Sequence, residues 1–314
     1  FNQHFYSAIW LRVQLDDSIY DKKFQTLSRL NKNFRPEIKK TLAGGVSVHH
    51  ETLFQYYRES ISFDVSSTLR ELLYGNEDRN RFSTYEINLY DGDTLIAAGF
   101  FDMGEKTAAG ITCIYHPAYK KNSLGKYLMY LKMDFCRRQQ MHFFYPGYIV
   151  PGYKAFDYKM EIGKKTLQYF QLSTQQWVPY TPSSIALTPL QEMVDKLTAL
   201  QSFLAKNEIP NAILHYRYFE INLDPYYHGE RLFDYPVFLN CFPLADASFY
   251  SMIVYDVRNC HYCFLQCSAV INITQEKEAR TVFDTNLLKI TRQLFATSVA
   301  EEMSSYLSGF LKSV

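Results

Sequence analysis

At 314 residues, 47% of them hydrophobic, the chain is long enough for two separate cores and too apolar for disorder. Its formal net charge of +1 excludes a global attraction to a polyanion, so any nucleic acid would have to be gripped by local basic patches. Apolar runs such as residues 95–101 fall far short of the roughly 20 residues a membrane-spanning helix needs, and six scattered cysteines make no disulfide framework, which fits a reducing, cytoplasmic setting.

The first residues carry no signal-peptide pattern, and the start at Phe1 rather than Met leaves residues upstream open. Ser18 is placed to cap a first helix whose apolar face is Tyr20, Phe24 and Leu27, and residues 34–39 read as extended. Helical spacing returns over residues 50–61. It appears again from Ser66 or Ser67, where Leu69, Leu72 and Leu73 share a face and Gly75 supplies the C′ residue. The period then shortens to two. Residues 85–90 alternate, Asp91-Gly92-Asp93 turns the chain, and residues 95–103 and 108–116 extend an antiparallel meander. A basic loop follows, then a helix starting at Asn122 or Ser123 that buries Leu124, Tyr127, Leu128, Leu131 and Phe135, then a strand over residues 142–150. This order predicts an acetyltransferase-like (GNAT-like) α/β domain over residues 1–182, a mixed sheet with flanking helices.

From residue 183 to 314 the pattern is that of a separate α+β domain. Pro189–Lys206 is amphipathic, with Leu190, Met193, Leu197, Leu200 and Leu204 on one side. Strand-like segments follow at residues 215–223, 237–242, 249–256 and 261–273, and two helices are expected at the end. Cys260, His261, Cys263 and Cys267 superficially suggest zinc. On one strand, however, Cys263 and Cys267 would lie roughly 13 Å apart, so buried thiols are expected and no metal is assigned. His228 and Gly229, in a turn over residues 224–231, carry no chemistry. This domain reads as a partner-binding, substrate-presenting or homodimerisation unit.

The basic residues fall in three groups: Lys22, Lys23, Arg29, Lys32, Arg35, Lys39 and Lys40; Lys120, Lys121, Lys126, Lys132, Arg137 and Arg138; and Lys154, Lys159, Lys164 and Lys165. The ordinary reading of such runs is a solvated helix face. The second group, however, flanks Asn122-Ser123-Leu124-Gly125-Lys126-Tyr127, a turn whose amides and following helix dipole could face an anion. Compared with a pyrophosphate-binding Q/R-x-x-G-x-G/A loop, only the first glycine is present. Tyr127 stands where a small residue is needed, so a donor does not lay a pyrophosphate flat along this turn.

Tyr115-His116-Pro117 followed by Ser123-Leu124-Gly125, and Gly147-Tyr148 followed at a set spacing by Tyr158-Lys159, resemble motifs of the arginyl/leucyl-tRNA–protein transferases. The resemblance runs from Leu11-Arg12-Val13 through Gln25, Arg29, Asn31, residues 63–72, Glu86 and Asp102 to Trp177-Val178-Pro179, a little over half of the chain. Two departures stand out. Phe5 and Ala8 occupy positions where the family has cysteines, so the cysteine-bound cluster or metal site of many members is lost. His116 replaces the usual acid after Tyr115.

The resemblance implies transfer of an amino acid of the arginine or leucine class from charged tRNA to the N-terminal amine of a protein or peptide. An aminoacyl ester is already activated, so the chemistry asks for positioning, a proton acceptor and oxyanion donors, with no cofactor and no covalent nucleophile. Amides of Ser123, Leu124 and Gly125, with Lys120, Lys121 and Lys126 nearby, are candidates for the terminal phosphate or the oxyanion. Tyr115, Tyr145, Tyr148 and Tyr158 offer faces for an unpaired adenine. Lys159, then Lys154, would meet an acidic acceptor. His116, Glu86 and Asp102 are candidates for the proton, and the two carboxylates for an arginine donor's guanidinium. Two other readings stay open: an acyl-CoA-dependent N-acyltransferase of the same fold, and a binding module that keeps the fold without the chemistry.

Overall fold

The structure, a computed structural model, describes residues 5–41, 46–63, 65–75, 80, 82–181, 183–184, 188–219, 231–242, 249–272 and 281–313. It divides into two units. One comprises Ala8–Phe170 and Trp177–Ser184, the other Phe1–Ser7, Gln171–Gln176 and Ile185–Val314.

In the first, the elements run β1 (Ile9–Gln14), α1 (Lys22–Leu30), β2 (Arg35–Lys40), α2 (Val48–Glu59), α3 (Leu69–Tyr74), β3 (Thr84–Asp91), β4 (Thr94–Met103), β5 (Thr107–Tyr115), α4 (Leu124–Arg138), β6 (Phe143–Ile149), β7 (Leu167–Gln171) and β8 (Gln176–Pro179). The strands form one mixed sheet in the order β2-β3-β4-β5-β6-β1-β7-β8. The expected meander is its β3-β4-β5 portion, antiparallel throughout. The chain then crosses through α4 and returns as β6, parallel to β5. Such a return needs a crossover of a dozen or more residues, which α4 supplies. One sheet face packs on α2 and α3 through Leu53, Phe54, Leu69, Ala98, Phe100 and Ile114. Against β4 and β5 lies α4, with Leu124, Leu128, Met133 and Cys136 fully buried.

Three sequence expectations need correction here. The Ser18 hydroxyl caps nothing and is buried without a partner. Carboxylates do the capping instead: Asp16 accepts from the Ser18 N–H before a short 3-10 turn, Asp17–Ile19, and Asp21 accepts from the Phe24 N–H at the start of α1. The loop before α4 is a 3-10 helix, Pro117–Asn122, opened by Pro117 in the first turn, where a missing N–H costs nothing. Strands β1, β7 and β8 were not anticipated. Each has four to six residues, and β1 enters the sheet between β6 and β7, a pairing set by residues far away in the chain.

The second unit holds an antiparallel sheet ordered β13-β12-β11-β10-β9, made of β9 (Ala212–His215), β10 (Val237–Asn240), β11 (Tyr250–Asp256), β12 (His261–Asn272) and β13 (Asn286–Thr297), with α5 (Pro189–Lys206) and α6 (Ala300–Ser313). Strand periodicity sorts its core. Ile253 and Tyr255 join Leu197, Leu200 and Leu204 of α5 and Met303 and Leu307 of α6 on one face. Met252, Val254, Cys263 and Cys267 face the other way, with Tyr216, Phe233 and Phe283. Cys263 and Cys267 thus sit in an apolar core, where burial pushes their thiols up to about 11 and about 12. Among the described residues one closing helix stands where two are expected. Residues 286–297 form β13, whose hydrogen bonds to β12 outweigh any local helical preference. His228, Gly229 and residues 220–223 lie outside the described residues. Among the described residues no helix is long and apolar enough to cross a membrane.

Candidate functional site

The parallel pair β5–β6 is hydrogen-bonded only at Thr107↔Phe143, Ala108↔Phe144 and Ala109↔Tyr145. Beyond these, β5 continues to Tyr115 paired with β4 alone, and β6 continues to Ile149 paired with β1 alone. The two strands part, and the N-terminus of α4 stands at the wide end. There Ser123 adopts a left-handed conformation (φ 51°, ψ 42°) and donates its N–H to the Lys120 carbonyl at 3.3 Å. The first intrahelical bond runs from the Tyr127 N–H to the Ser123 carbonyl, so the amides of Leu124, Gly125 and Lys126 precede the ladder. Fully buried Asn31, at the end of α1, holds this turn in place. Its side chain donates to the carbonyls of Leu27 (2.9 Å) and Asn122 (3.1 Å) and accepts from Asn122 Nδ2 (3.2 Å). Tyr115 lies over Gly125, where a Cβ would come 3.6 Å from its ring, and meets Tyr57 edge-on at 5.3 Å.

The second sequence motif arrives at the same place. Lys159, in the 3-10 helix Lys154–Glu161, is only 8% exposed and donates from Nζ to the Tyr148 carbonyl at 2.8 Å. Its Nζ stands 4.6 Å from the Phe156 ring centroid and 5.2 Å from that of Tyr148. Gly147, at φ +99°, makes the approach possible, since a Cβ there would lie 3.1 Å from Nζ. Burial lowers the Lys159 ammonium to about 8. Burial also pushes the Tyr57 phenol up to about 12, reinforced by Tyr115 and then Cys113, and raises Tyr158, with Cys113, Tyr57 and Tyr115 adding to the effect. These groups therefore share one neighbourhood. Lys126 Nζ reaches Glu161 at 2.6 Å and Lys23 reaches it at 3.6 Å, tying the 3-10 helix to α4 and α1.

Not every expected residue joins them. Lys132 leaves the basic patch entirely: it is fully buried and donates to the carbonyls of Phe100 and Thr112, both at 2.8 Å, through a gap that Gly99 keeps open. Lys120 and Lys121 are exposed on the 3-10 helix just before Ser123, and Lys154 is exposed at the start of the other. Tyr145 turns its ring to Trp177 at 5.5 Å. Asp102 stands apart. It pairs with Ala109 whereas Tyr115 pairs with Ala97, about 17 Å along the strand at ~3.3 Å per residue, and its carboxylate accepts from the Thr84 hydroxyl.

His116 and Glu86 line a different feature, a cleft of about 750 Å³ bordered by α2, β3 and β4, with Lys39, His49, His50, Tyr56 and Tyr90. His116 also caps its 3-10 helix, accepting from the Ala118 N–H at 3.2 Å, and rests against Tyr56 at 4.9 Å. A polar chain crosses the cleft floor. Asn88 Nδ2 donates to Glu86 (3.1 Å), so Asn88 Oδ1 accepts from His50 Nε2 (2.9 Å), which leaves His50 Nδ1 to accept from the Ser47 hydroxyl (2.8 Å). Lys39 Nζ closes it at 3.4 Å from Glu86. Tyr57, Phe156 and Glu161 complete the neighbourhood of Tyr115 and Lys159 without any sequence signal of their own beyond residue type.

The model of the family described as "Arginine-tRNA-protein transferase, C terminus" matches residues 20–169. An aspartate/glutamate leucyltransferase of Campylobacter jejuni (strain 81-176) is 28% identical over 92 residues, 28% of this chain and 38% of that protein. One from Leptospira interrogans (strain Fiocruz L1-130) is 22% identical over 153 residues, 47% of this chain and 58% of that protein. The chain thus spans between about two fifths and three fifths of the curated relatives it matches. The resemblance expected from the motifs is borne out. Among solved structures, L-PGS from Bacillus licheniformis is 13% identical over 46% of this chain and 47% of that one, with a TM-score of 0.33. An aminoglycoside acetyltransferase from an uncultured soil metagenomic sample is 15% identical over 48% of this chain and 97% of that one, with a TM-score of 0.29.

Proposed function

We propose that this chain transfers an amino acid of the arginine or leucine class from charged tRNA to the N-terminal amine of a protein or peptide. One observation carries the reading. Tyr115, the amides at the start of α4, Tyr158 and Lys159 gather where β5 and β6 part, within the stretch that matches the transferase family.

In the proposed reaction the acceptor nitrogen attacks the ester carbonyl carbon. As the C–N bond forms, the carbonyl electron pair moves to oxygen, and the amides of Leu124, Gly125 and Lys126 with the α4 dipole oppose that charge. Collapse of the intermediate breaks the bond to the ribose oxygen, which takes the proton the amine loses. Tyr115 and Tyr158 flank the terminal adenosine. Lys159, cationic at neutral pH, meets an acidic acceptor side chain, in keeping with relatives named aspartate/glutamate leucyltransferase. The same reading places the chain in the cytoplasm with charged tRNA, makes the transferred residue a signal for degradation, and gives the second unit a role in acceptor presentation or self-association.

The test is incubation with tRNA carrying radiolabelled leucine or arginine and peptides beginning with Asp, Glu, Lys or Arg. Label in acid-start peptides, lost in Lys159→Ala, is the expected result. Labelling of none, together with thermal stabilisation by an acyl-CoA, would move the chain to the acyl-CoA-dependent class.

A further inference from the structure

The sheet portion β6-β1-β7-β8 has a face opposite its core. Ile9, Leu11 and Val13 of β1 point inward, so Trp10 and Arg12 point outward, and Trp10 is half exposed. The Arg12 guanidinium is held between two rings, 4.0 Å from the centroid of Phe143 and 4.6 Å from that of Trp177, and its Nε donates to Gln168 at 2.6 Å. Among the described residues no carboxylate pairs with it. A guanidinium has five N–H donors, and among the described residues only one is engaged. Trp177 packs edge-on against Tyr145, and Trp10 against Tyr148 at 5.9 Å, which links this face to the Lys159 neighbourhood.

We infer that this face is a docking platform for single-stranded RNA. Arg12 takes a backbone phosphate, and Trp10 takes an unpaired base by stacking. The choice of RNA over another polyanion rests on the proposed function, since the strand that must lead to the parting of β5 and β6 is the unpaired acceptor end of a tRNA. The platform itself rests on its own chemistry. Oriented rings beside a caged, carboxylate-free cation are the pairing that single-strand binders use, and a guanidinium already fixed by stacking loses little freedom when it meets a phosphate.

Both tryptophans of the chain, Trp10 and Trp177, lie here, so intrinsic fluorescence reports on this face directly. Titrating the full chain with an eight-nucleotide RNA ending in CCA is expected to give saturable quenching. Arg12→Gln should weaken binding about tenfold and lower the slope of log K against log salt by about 0.7, one phosphate on a single strand. Trp10→Ala removes a half-exposed side chain, leaves Trp177 to report, and should weaken binding on the order of tenfold. Absence of quenching, affinity unchanged in both variants, or tighter binding of a glutamate-rich peptide would each overturn the platform. RNA binding without any amino-acid transfer would leave the platform standing and remove the proposed reaction; transfer without quenching would do the reverse.

Discussion

In the proposed reaction Lys159 holds the acceptor, and its burial has a consequence in pH. Because desolvation lowers its ammonium to about 8, it gives up its charge at a pH where an exposed lysine stays protonated. An attacking α-amine, with an ordinary value of about 7.7–8.0, becomes nucleophilic over the same range. Transfer to a peptide beginning with Asp should therefore rise with pH and then fall above about 8, as Lys159 loses its hold on the acceptor carboxylate. Lys159→Arg keeps the charge at high pH, so the descending limb should move upward even if the maximum rate drops; an unmoved limb would assign it to another group. The sign for stability is opposite. The folded state binds this proton more weakly than the unfolded chain, so wild type should gain stability between about pH 8 and 10.5 relative to Lys159→Met, read as the difference in urea midpoints. Gly147→Ala tests the same site from β6. A methyl at φ +99° and 3.1 Å from Nζ combines backbone strain with crowding, and about 1–3 kcal/mol of stability should be lost.

Among the elements, those with a period of their own were legible. Leu124, Leu128 and Leu131 of α4, and Leu197, Leu200 and Leu204 of α5, repeat at three and four residues, and both helices form where that spacing requires. β1 was not legible, because it is only six residues long and its partners lie far along the chain. β13 reads locally as helix, a preference that its hydrogen bonds to β12 override. Within the site, Tyr115, Ser123, Gly125 and Lys159 could be read from motifs, whereas the separation of Glu86, His116 and Asp102 from them depends on strand register, which no local pattern encodes. The α4 turn itself depends on Asn31, which reaches 91 positions along the chain to Asn122. Asn31→Ala would leave the buried bond to the Leu27 carbonyl and the part-buried one to Asn122 unmade, costing about 1–3 kcal/mol in denaturant melts. It should also slow transfer more than a surface substitution of equal destabilisation, because the amides before Tyr127 would no longer be held.

At the scale of the whole chain, each unit has a core that can be counted without the other. The second unit buries both faces of its five-stranded sheet: α5 and α6 cover one, and Tyr216, Phe233 and Phe283 close the other. A sheet sealed on both sides by residues of its own unit has what independent folding requires. It does borrow from the start of the chain. Phe5 stacks on His215 at 5.6 Å and meets Phe219 at 5.0 Å, and Ser7 Oγ accepts from the Leu190 N–H at the head of α5. A fragment of residues 183–314 should consequently unfold in one cooperative transition by calorimetry while being less stable than a version that keeps residues 1–7 on a flexible linker. Two aromatic contacts and one helix-end hydrogen bond set that difference at about 1–3 kcal/mol. A broad, non-cooperative melt of the fragment would mean that its sheet is completed by more than these few residues, and the two-domain reading of the chain would have to be abandoned.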